Sequence, residues 1–485
     1  MSTPIDNKQF SGFRLSYFSV VKLFDEFTYE IPLNNDKHVT AIIAPNGMGK
    51  TLCLRMIDGF FSNRWSIFSE TVFESALFRF TNGCEVEVKK SKPSKEDSDD
   101  ALSHARFEVV ISTLGSDDPI VWRPKPDDRR VFTPERYLPF LTRVGSSRWR
   151  HDHTGETFNI TEILELFGEQ LPQSFRSSIY GKKPILLENI ITEVHCRLIE
   201  TQRLLILKER PTNKVYYGHQ ANSAKSTLAI AQKAETLKAK ISKEINDYAA
   251  LSQSLDRSFP RRVIQQSTDT YVRTSIAIEE LKARLQDLDK QRDELTRAGI
   301  LDAEADQPVA LPPGDISTDI ASVLQVYADD TQKKLSSLSR ILEKINLFKR
   351  LIDQRFITKD VTISKKNGID VTFHGSIVPL EKLSSGEQHQ LVLFFELLFE
   401  IEGNSLILID EPELSLHVAW QKKFISDLME IIKLNRFDVI LATHSPQLVG
   451  RWNDLVVELG DVDPDDDESE HTAGAGTIDL LEGEF

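Results

Sequence analysis

The sequence predicts an α/β fold: a parallel core sheet, an antiparallel β subdomain and an inserted antiparallel coiled-coil arm. Three observations predict it. Four short apolar runs, Val39–Ala44, Val194–Glu200, Ser405–Ile409 and Asp438–Ala442, end abruptly in polar or turn-forming sequence, as strands buried on both faces do. Residues 68–125 alternate instead, and Phe73–Phe80 and Cys84–Lys89 flank Thr81-Asn82-Gly83, a hairpin signal. Residues 220–258 and 267–298 lack Gly and Pro and are rich in Ala, Lys, Glu, Leu and Gln, the composition of long polar helices.

A chain of 485 residues exceeds one simple core, so several lobes are expected. We divide it into the N-terminal half of the α/β body (1–215), a helical insertion (216–355), the C-terminal half of the body (356–460) and an acidic tail (461–485). With 40% hydrophobic and 27% charged residues the chain is of the globular class. It contains no run of about 18 apolar residues, so no membrane span is expected. The N-terminus lacks the apolar core of a signal peptide. Cys53, Cys84 and Cys196 are scattered without metal or disulfide spacing, which fits reduced thiols and a cytoplasmic location. The formal charge of −15 argues against a general nucleic-acid binder but leaves room for a local basic patch.

Phe13–Phe18, Phe27–Ile31 and Val39–Ala44 read as strands, the last running into Ala44-Pro-Asn-Gly-Met-Gly-Lys-Thr51. This is the phosphate-binding pattern G-x-x-x-x-G-K-[ST] with Ala44 in place of the first glycine. Asn46, Gly47, Met48 and Gly49 would wrap backbone amides around a phosphate, and Lys50 would neutralise its oxygens. Thr51 would ligate Mg²⁺, and the helix start through Leu52 adds a favourable dipole. Further strand pairs are expected at Phe107–Ser112 and Ile120–Trp122, with Glu96–Asp100 as a solvated loop. Val194–Glu200 leads into Thr201-Gln202-Arg203. Gln202 can reach Mg²⁺ and the attacking water, or simply end a strand, and Arg203 is the alternative phosphate contact.

In the insertion, Leu237, Ile241, Ile245 and Tyr248 form one apolar stripe, and Ile278, Leu281, Leu285, Leu288 and Leu295 another. The pair reads as a coiled-coil hairpin on the order of 50 Å long. Pro260 is expected to end its first helix, leaving Arg261 and Arg262 as a small basic tip, either solvated or held within the chain, or else in contact with phosphate or a partner. A third long helix, from Thr318 to about Gln354, returns the chain, and Val361–Ser364 and Ile369–Phe373 form a hairpin around Lys366-Asn367-Gly368. Then comes Leu383-Ser-Ser-Gly-Glu387 before an apolar helix. Ser384, Ser385 and Gly386 at this helix start offer hydroxyls and bare amides to a second anion, and Glu387 is grouped with them as a nucleotide-site residue. One chain has already used its phosphate loop, so this site needs a nucleotide held by another chain, in a head-to-tail pair.

Asp410 and Glu411 end the buried strand Ser405–Ile409, where a parallel sheet opens its ligand crevice. Asp410 would hold Mg²⁺, and Glu411 would polarise a water for attack on phosphate. Alone the pair also fits a solvated acidic turn; the phosphate loop tips the balance. His444, at the end of the last buried strand, would touch the γ-phosphate. A nucleoside triphosphate and Mg²⁺ are therefore the expected ligands.

The order of phosphate loop, glutamine strand, coiled-coil arm, L-S-S-G-E, I-L-I-D-E-P-E and T-H-S resembles the ABC-type ATPase heads of the structural-maintenance-of-chromosomes and RecF-like group. Within it, E-P-E-L-S-L-H, the short arm and S-P-Q-L-V look like ATPases of bacterial anti-phage defence. These include the overcoming-lysogenization-defect nucleases and the ATPase subunits of the Septu and PARIS systems. The resemblance implies ATP hydrolysis by homodimers or higher oligomers, with Ser384, Ser385 and Gly386 acting in trans, and Glu411 as general base. No Toprim domain follows His444, so it also implies a separately encoded effector, a nuclease of Toprim-like or HNH type. Its trigger would be DNA or a phage protein. Two other readings stay open: a DNA-repair or chromosome-associated ATPase that clamps DNA, and an antitoxin-like ATPase whose hydrolysis is dispensable.

Overall fold

The computed structural model describes residues 13–90, 107–114, 118–124, 133–145, 148–152, 154–167, 170–172, 175, 183–200, 229–268, 278–302, 317–416 and 418–460. Gln202, Arg203, the Glu96–Asp100 run and the acidic tail lie outside these residues.

Strands β1 (Leu15–Leu23), β2 (Phe27–Pro32), β4 (Ser75–Phe80), β5 (Glu85–Lys90), β6 (Phe107–Ser112) and β7 (Ile120–Trp122) form an antiparallel sheet in the order β2-β1-β4-β5-β6-β7. The turn at Asn82-Gly83 sets Phe78 opposite Val86, as the hairpin signal requires. The core sheet is parallel and contains β3 (Val39–Ile43), β11 (His195–Glu200), β15 (Ser405–Asp410), β16 (Asp438–Thr443) and β17 (Val456–Glu458), in the order β11-β15-β16-β3-β17. Among the described residues the expected core strand at 194–200 lies at the sheet edge, and only Val194 and Ile199 of it are buried. β17 was not foreseen, because three residues of Val-Val-Glu carry no readable period. For the same reason residues 126–185 gave little signal. Their small sheet consists of β8 (Leu141–Arg143), β9 (Trp149–His151) and β10 (Thr157–Phe158).

The core sheet separates two apolar layers, and successive residues of one strand serve opposite layers. Leu406 and Leu408 face helix α1 (Lys50–Phe61) and the antiparallel sheet, where Phe60 stacks on Phe78 at 4.3 Å. Ile407 and Ile409 face helices α5 (Ser385–Phe395), α6 (Val418–Asn435) and the root of the arm. This double burial explains why these strands read as unbroken apolar runs.

The arm has three helices: α2 (Ala229–Thr268), α3 (Ile278–Arg297) and α4 (Thr318–Asp353). At 40 residues α2 is about 60 Å long. Of the expected apolar stripes, Leu237, Ile241, Leu281, Leu285, Leu288 and Leu295 are buried and Ile245, Tyr248 and Ile278 partly buried, and α4 is the element against which both α2 and α3 pack most extensively, through Leu335, Leu338, Ile341 and Ile345. The expected third helix thus joins the two of the hairpin in the arm. The expected helix stop at Pro260 is overturned: α2 runs through it to Thr268. An internal proline costs about 3 kcal/mol through its missing N–H and ring clash. Here Ser258 Oγ (3.1 Å) and Arg262 Nη2 (2.7 Å) donate to the carbonyl of Leu255, in the turn before the proline. Arg262 also pairs with the buried Asp330 of α4, and Lys334 of α4 reaches Asp256. Tertiary contacts thus carry the helix across. Arg262 is an intramolecular brace, one of the roles expected for it.

The arm is seated on the body. Strands β12 (Asp360–Ser364), β13 (Gly368–Phe373) and β14 (Ser376–Val378) form a small antiparallel sheet. Gly368 has φ +76°, and a Cβ there would lie 2.0 Å from the Ala234 carbonyl oxygen of α2. Lys233 of α2 and Arg197 of β11 pair with Glu396 and Glu400, in the π-helical turn that follows α5. Arg355, just past α4, is buried between Asp427 of α6 and the ring of Phe394 in α5. Among the described residues, no helix is long and apolar enough to cross a membrane.

Candidate functional site

Parallel pairing of β15 with β16, and of β16 with β3, brings the carboxyl ends of three strands side by side. The register sets Asp410 opposite Ala442 and Thr443 opposite Ile43. The loop from β3 to α1 therefore faces the Asp410-Glu411 turn across the sheet end, although 359 residues separate Thr51 from Asp410.

The loop adopts the shape its glycines permit. Gly47 (φ +90°) and Gly49 (φ +83°) are left-handed, which only glycine adopts at little cost. A Cβ on Gly47 would meet only open space, whereas one on Gly49 would come within 2.8 Å of Leu23 in β1. Gly49 thus allows close packing, and Gly47 sits on the open side. Asn46 is exposed, and Tyr29 donates to the Met48 carbonyl at 2.8 Å, tethering the loop to β2. Leu52 packs towards the core, so it offers the site its backbone only.

Lys50 is 5% exposed, and its ammonium donates to the carbonyls of Ala44 (2.6 Å) and Pro45 (2.9 Å). Burial pulls its pKa down, and Glu411, Asp410 and Glu413 oppose that shift. Thr51 Oγ1 donates to Asp410, 3.1 Å from Oδ1 and 3.0 Å from Oδ2. Burial pushes the Asp410 carboxyl above its usual range, helped by Glu411 and Glu200 and opposed by Thr51 and Arg55. Glu411 is a non-glycine residue in the left-handed region, φ 48° and ψ 55°. Such a residue costs about 1–3 kcal/mol. The Glu411 amide is held by the Ala442 carbonyl at 2.9 Å, and Pro412 then starts a short turn.

His444 joins this group through a residue to which we assigned no role from the sequence. Glu413 Oε1 accepts from Thr443 Oγ1 (2.7 Å) and the His444 amide (2.8 Å), and lies 3.0 Å from His444 Nδ1. The available signal was positional: β15 and β16 are parallel neighbours, so the turn after Asp410 crosses the end of β16.

Ser384, Ser385, Gly386 and Glu387 open α5 as a separate cluster. Ser384 is its N-cap in a full capping box. Its Oγ and its amide both donate to Glu387 Oε2 at 2.9 Å. Lys359, between the arm root and β12, donates to both oxygens of the same carboxylate at 2.5 and 2.7 Å. Burial raises the Glu387 pKa, but Lys359 and Ser384 outweigh it and hold it below the usual range. The Ser384 hydroxyl is thus engaged within its own chain.

The donor set fits a nucleotide with a hard cation. Among the described residues, no cluster of three or more His, Cys, Asp or Glu side chains is arranged to hold a metal. Thr51 and Asp410 supply adjacent oxygens, the pattern of Mg²⁺ sites that share the ion with substrate phosphates. Lys50, turned onto two loop carbonyls, is a buried cation beside the open side of Gly47.

A family model described as an AAA ATPase domain matches residues 22–449. Among curated proteins, the retron Vc95 probable ATPase of Vibrio cholerae serotype O1 biovar El Tor is 28% identical over 148 residues. That match covers 24% of this chain and 28% of the relative, well under two thirds of its length. Among solved structures, the Smc head domain with an extended coiled coil bound to the C-terminal domain of ScpA, from Pyrococcus furiosus, aligns with a TM-score of 0.33 and 12% identity, covering 92% of this chain and 93% of that one. The SMC head domain from Thermotoga maritima aligns with a TM-score of 0.29 and 11% identity, covering 90% and 91%.

Proposed function

We propose, for a chain that belongs to the AAA ATPase domain family, that it hydrolyses ATP with Mg²⁺ and uses the cycle to control a separately encoded effector in anti-phage defence. The observation that carries the hydrolytic half is the meeting of Lys50, Thr51, Asp410 and Glu411 at the carboxyl ends of β3 and β15. In this reading Lys50 leaves the loop carbonyls to donate to phosphate, joined by the amides of residues 46–52. Thr51 Oγ1 and Asp410 would hold the cation, Asp410 directly or through water, and Mg²⁺ bound there would neutralise phosphate charge. Glu411 accepts the proton of the attacking water, and Gln202 would orient that water. His444 donates to the terminal phosphate. Ser384, Ser385 and Gly386 complete the site of a second copy, so turnover requires a head-to-tail dimer.

A positioned base contributes about 10²–10⁴-fold to rate. Glu411→Gln should therefore lower ATP turnover of the purified protein at least about 100-fold while leaving nucleotide binding intact. Wild-type turnover no faster than that of the variant would refute the hydrolytic reading.

The defence half is supported by the E-P-E-L-S-L-H pattern and by the retron relative. Its test is plaque formation on cells with and without the locus, together with capture of a neighbour-encoded nuclease by the tagged protein. Unchanged plaquing with no captured partner would refute it. The hydroxyl of Ser384, held within its own chain, favours a second reading in which nucleotide binding alone gates the effector. Glu411→Gln that protects cells as well as wild type, with Lys50→Ala inactive, would select it.

A further inference from the structure

Glu413 has no part in the scheme above, yet it is 6% exposed and lies at the centre of the turn that presents His444. Its Oε1 is the meeting point of three groups from the end of β16: the Thr443 hydroxyl, the His444 amide and His444 Nδ1. Its Oε2 is buried without a hydrogen-bond partner among the described residues. A buried carboxylate with one oxygen unpaired is expensive to fold, so stability does not explain the arrangement. The turn is braced from the far side as well. Ser445 donates its amide to Thr443 Oγ1 (3.0 Å) and its hydroxyl to Gln421 Oε1 (3.0 Å), while Gln421 donates to the Leu416 carbonyl at 3.2 Å.

We propose that Glu413 is a positioning residue that fixes the tautomer and orientation of His444, and so sets which ring nitrogen meets the terminal phosphate. This rests on the ATPase reading for its consequence, though not for its geometry. Glu413 Oε1 already accepts from a hydroxyl and an amide and has no proton to give, so only a protonated Nδ1 meets it favourably across the 3.0 Å contact. That leaves Nε2, across the ring, as the outward nitrogen, on a side chain 40% exposed. To donate to phosphate, Nε2 takes up a proton from solvent when nucleotide binds, and the carboxylate behind Nδ1 holds the ring in place as it does so, as in hydrolase triads. Because Glu413 follows Asp410 and Glu411 in one turn, it also ties the end of β15 to the end of β16.

The test uses the full chain labelled with ¹⁵N-histidine, with the His444 ring signals identified by their loss in His444→Gln. Without nucleotide, the wild type should show a protonated Nδ1 and a bare Nε2. Glu413→Gln keeps an acceptor and should keep that tautomer, whereas Glu413→Leu should lose it. In ATP turnover, Glu413→Leu should lower kcat roughly 10- to 100-fold, the usual effect of losing an orienting partner, with KM within about twofold. Glu413→Gln should retain more of kcat. A wild-type Nε2–H tautomer, an unchanged tautomer in Glu413→Leu, or a loss confined to KM would each overturn the proposal. If Glu413→Leu does not fold, the wild-type and Glu413→Gln spectra still decide it. A wild type with the expected tautomer but no ATP turnover would refute the ATPase reading and leave the positioning role standing.

Discussion

Replacing Gly368 by alanine should unseat the arm. The residue ends the turn between β12 and β13 with φ +76°, where an alanine costs about 1–2 kcal/mol. The added Cβ would stand 2.0 Å from the Ala234 oxygen and 2.8 Å from its carbonyl carbon, against 3.4 Å for ordinary contact. Both atoms are backbone, so no side chain can swing away, and α2 or the hairpin must shift by more than about 1 Å. Overpacking of this kind costs about 1–3 kcal/mol, for a total of about 2–5 kcal/mol. Gly375→Ala is the control. Gly375 has φ +78° and nothing within 4 Å of its Cβ position, so it carries the strain without the clash. Hydrogen exchange followed by mass spectrometry should show peptides at the start of α2 exchanging about 30-fold faster or more in Gly368→Ala. The control should change them little. Equal exchange in the two variants would refute the argument that α2 rests on this glycine.

Two further predictions concern charge. Arg262→Ala should destabilise the protein by about 2–4 kcal/mol in urea unfolding, because Asp330 is left buried without its cation. It should leave the salt dependence of any DNA binding unchanged, since the guanidinium is already engaged; a shallower salt slope would place that arginine on DNA instead. Lys359→Ala should move the acid limb of stability to higher pH. The Glu387 carboxyl lies below its usual value of 4.5, so its contribution is present above that value and is lost as pH falls through the lowered one. Without Lys359 that loss begins at higher pH, and superimposable acid limbs would contradict the pairing.

The parts legible in the sequence were those whose signal is local. The strand–glycine loop–helix unit at 39–61, the Asn82-Gly83 hairpin and the apolar strands ending in Asp410 and His444 each announce themselves within a dozen residues. What escaped depended on partners far along the chain. Pro260 is a valid local stop signal, overridden by Arg262 and Asp330. The stripes on α2 and α3 were visible, but not that α4 would be the main partner of both. Asp410, Glu411 and Glu413 are three carboxylates within four positions, and composition cannot say which one turns inward to His444. The Ser384 capping box was foreseeable from Ser384 and Glu387 alone, whereas its tie to Lys359 required the fold.

The place of β3 in the core sheet bears on how the molecule is made. Its neighbours are β16 and β17, so the strand leading into the phosphate loop is flanked on both sides by segments that follow it by nearly the whole chain; His38, just before β3, meets Asp438 at a separation of 400 residues. The antiparallel sheet and α1 can assemble early from adjacent sequence. During synthesis β3 then waits with two open edges until the end of the chain arrives. Pairings of such long range are slow and expose strand edges to aggregation. Truncations before β16 should therefore yield insoluble rather than merely inactive protein, and production should depend on chaperones that cover those edges until the last strands dock.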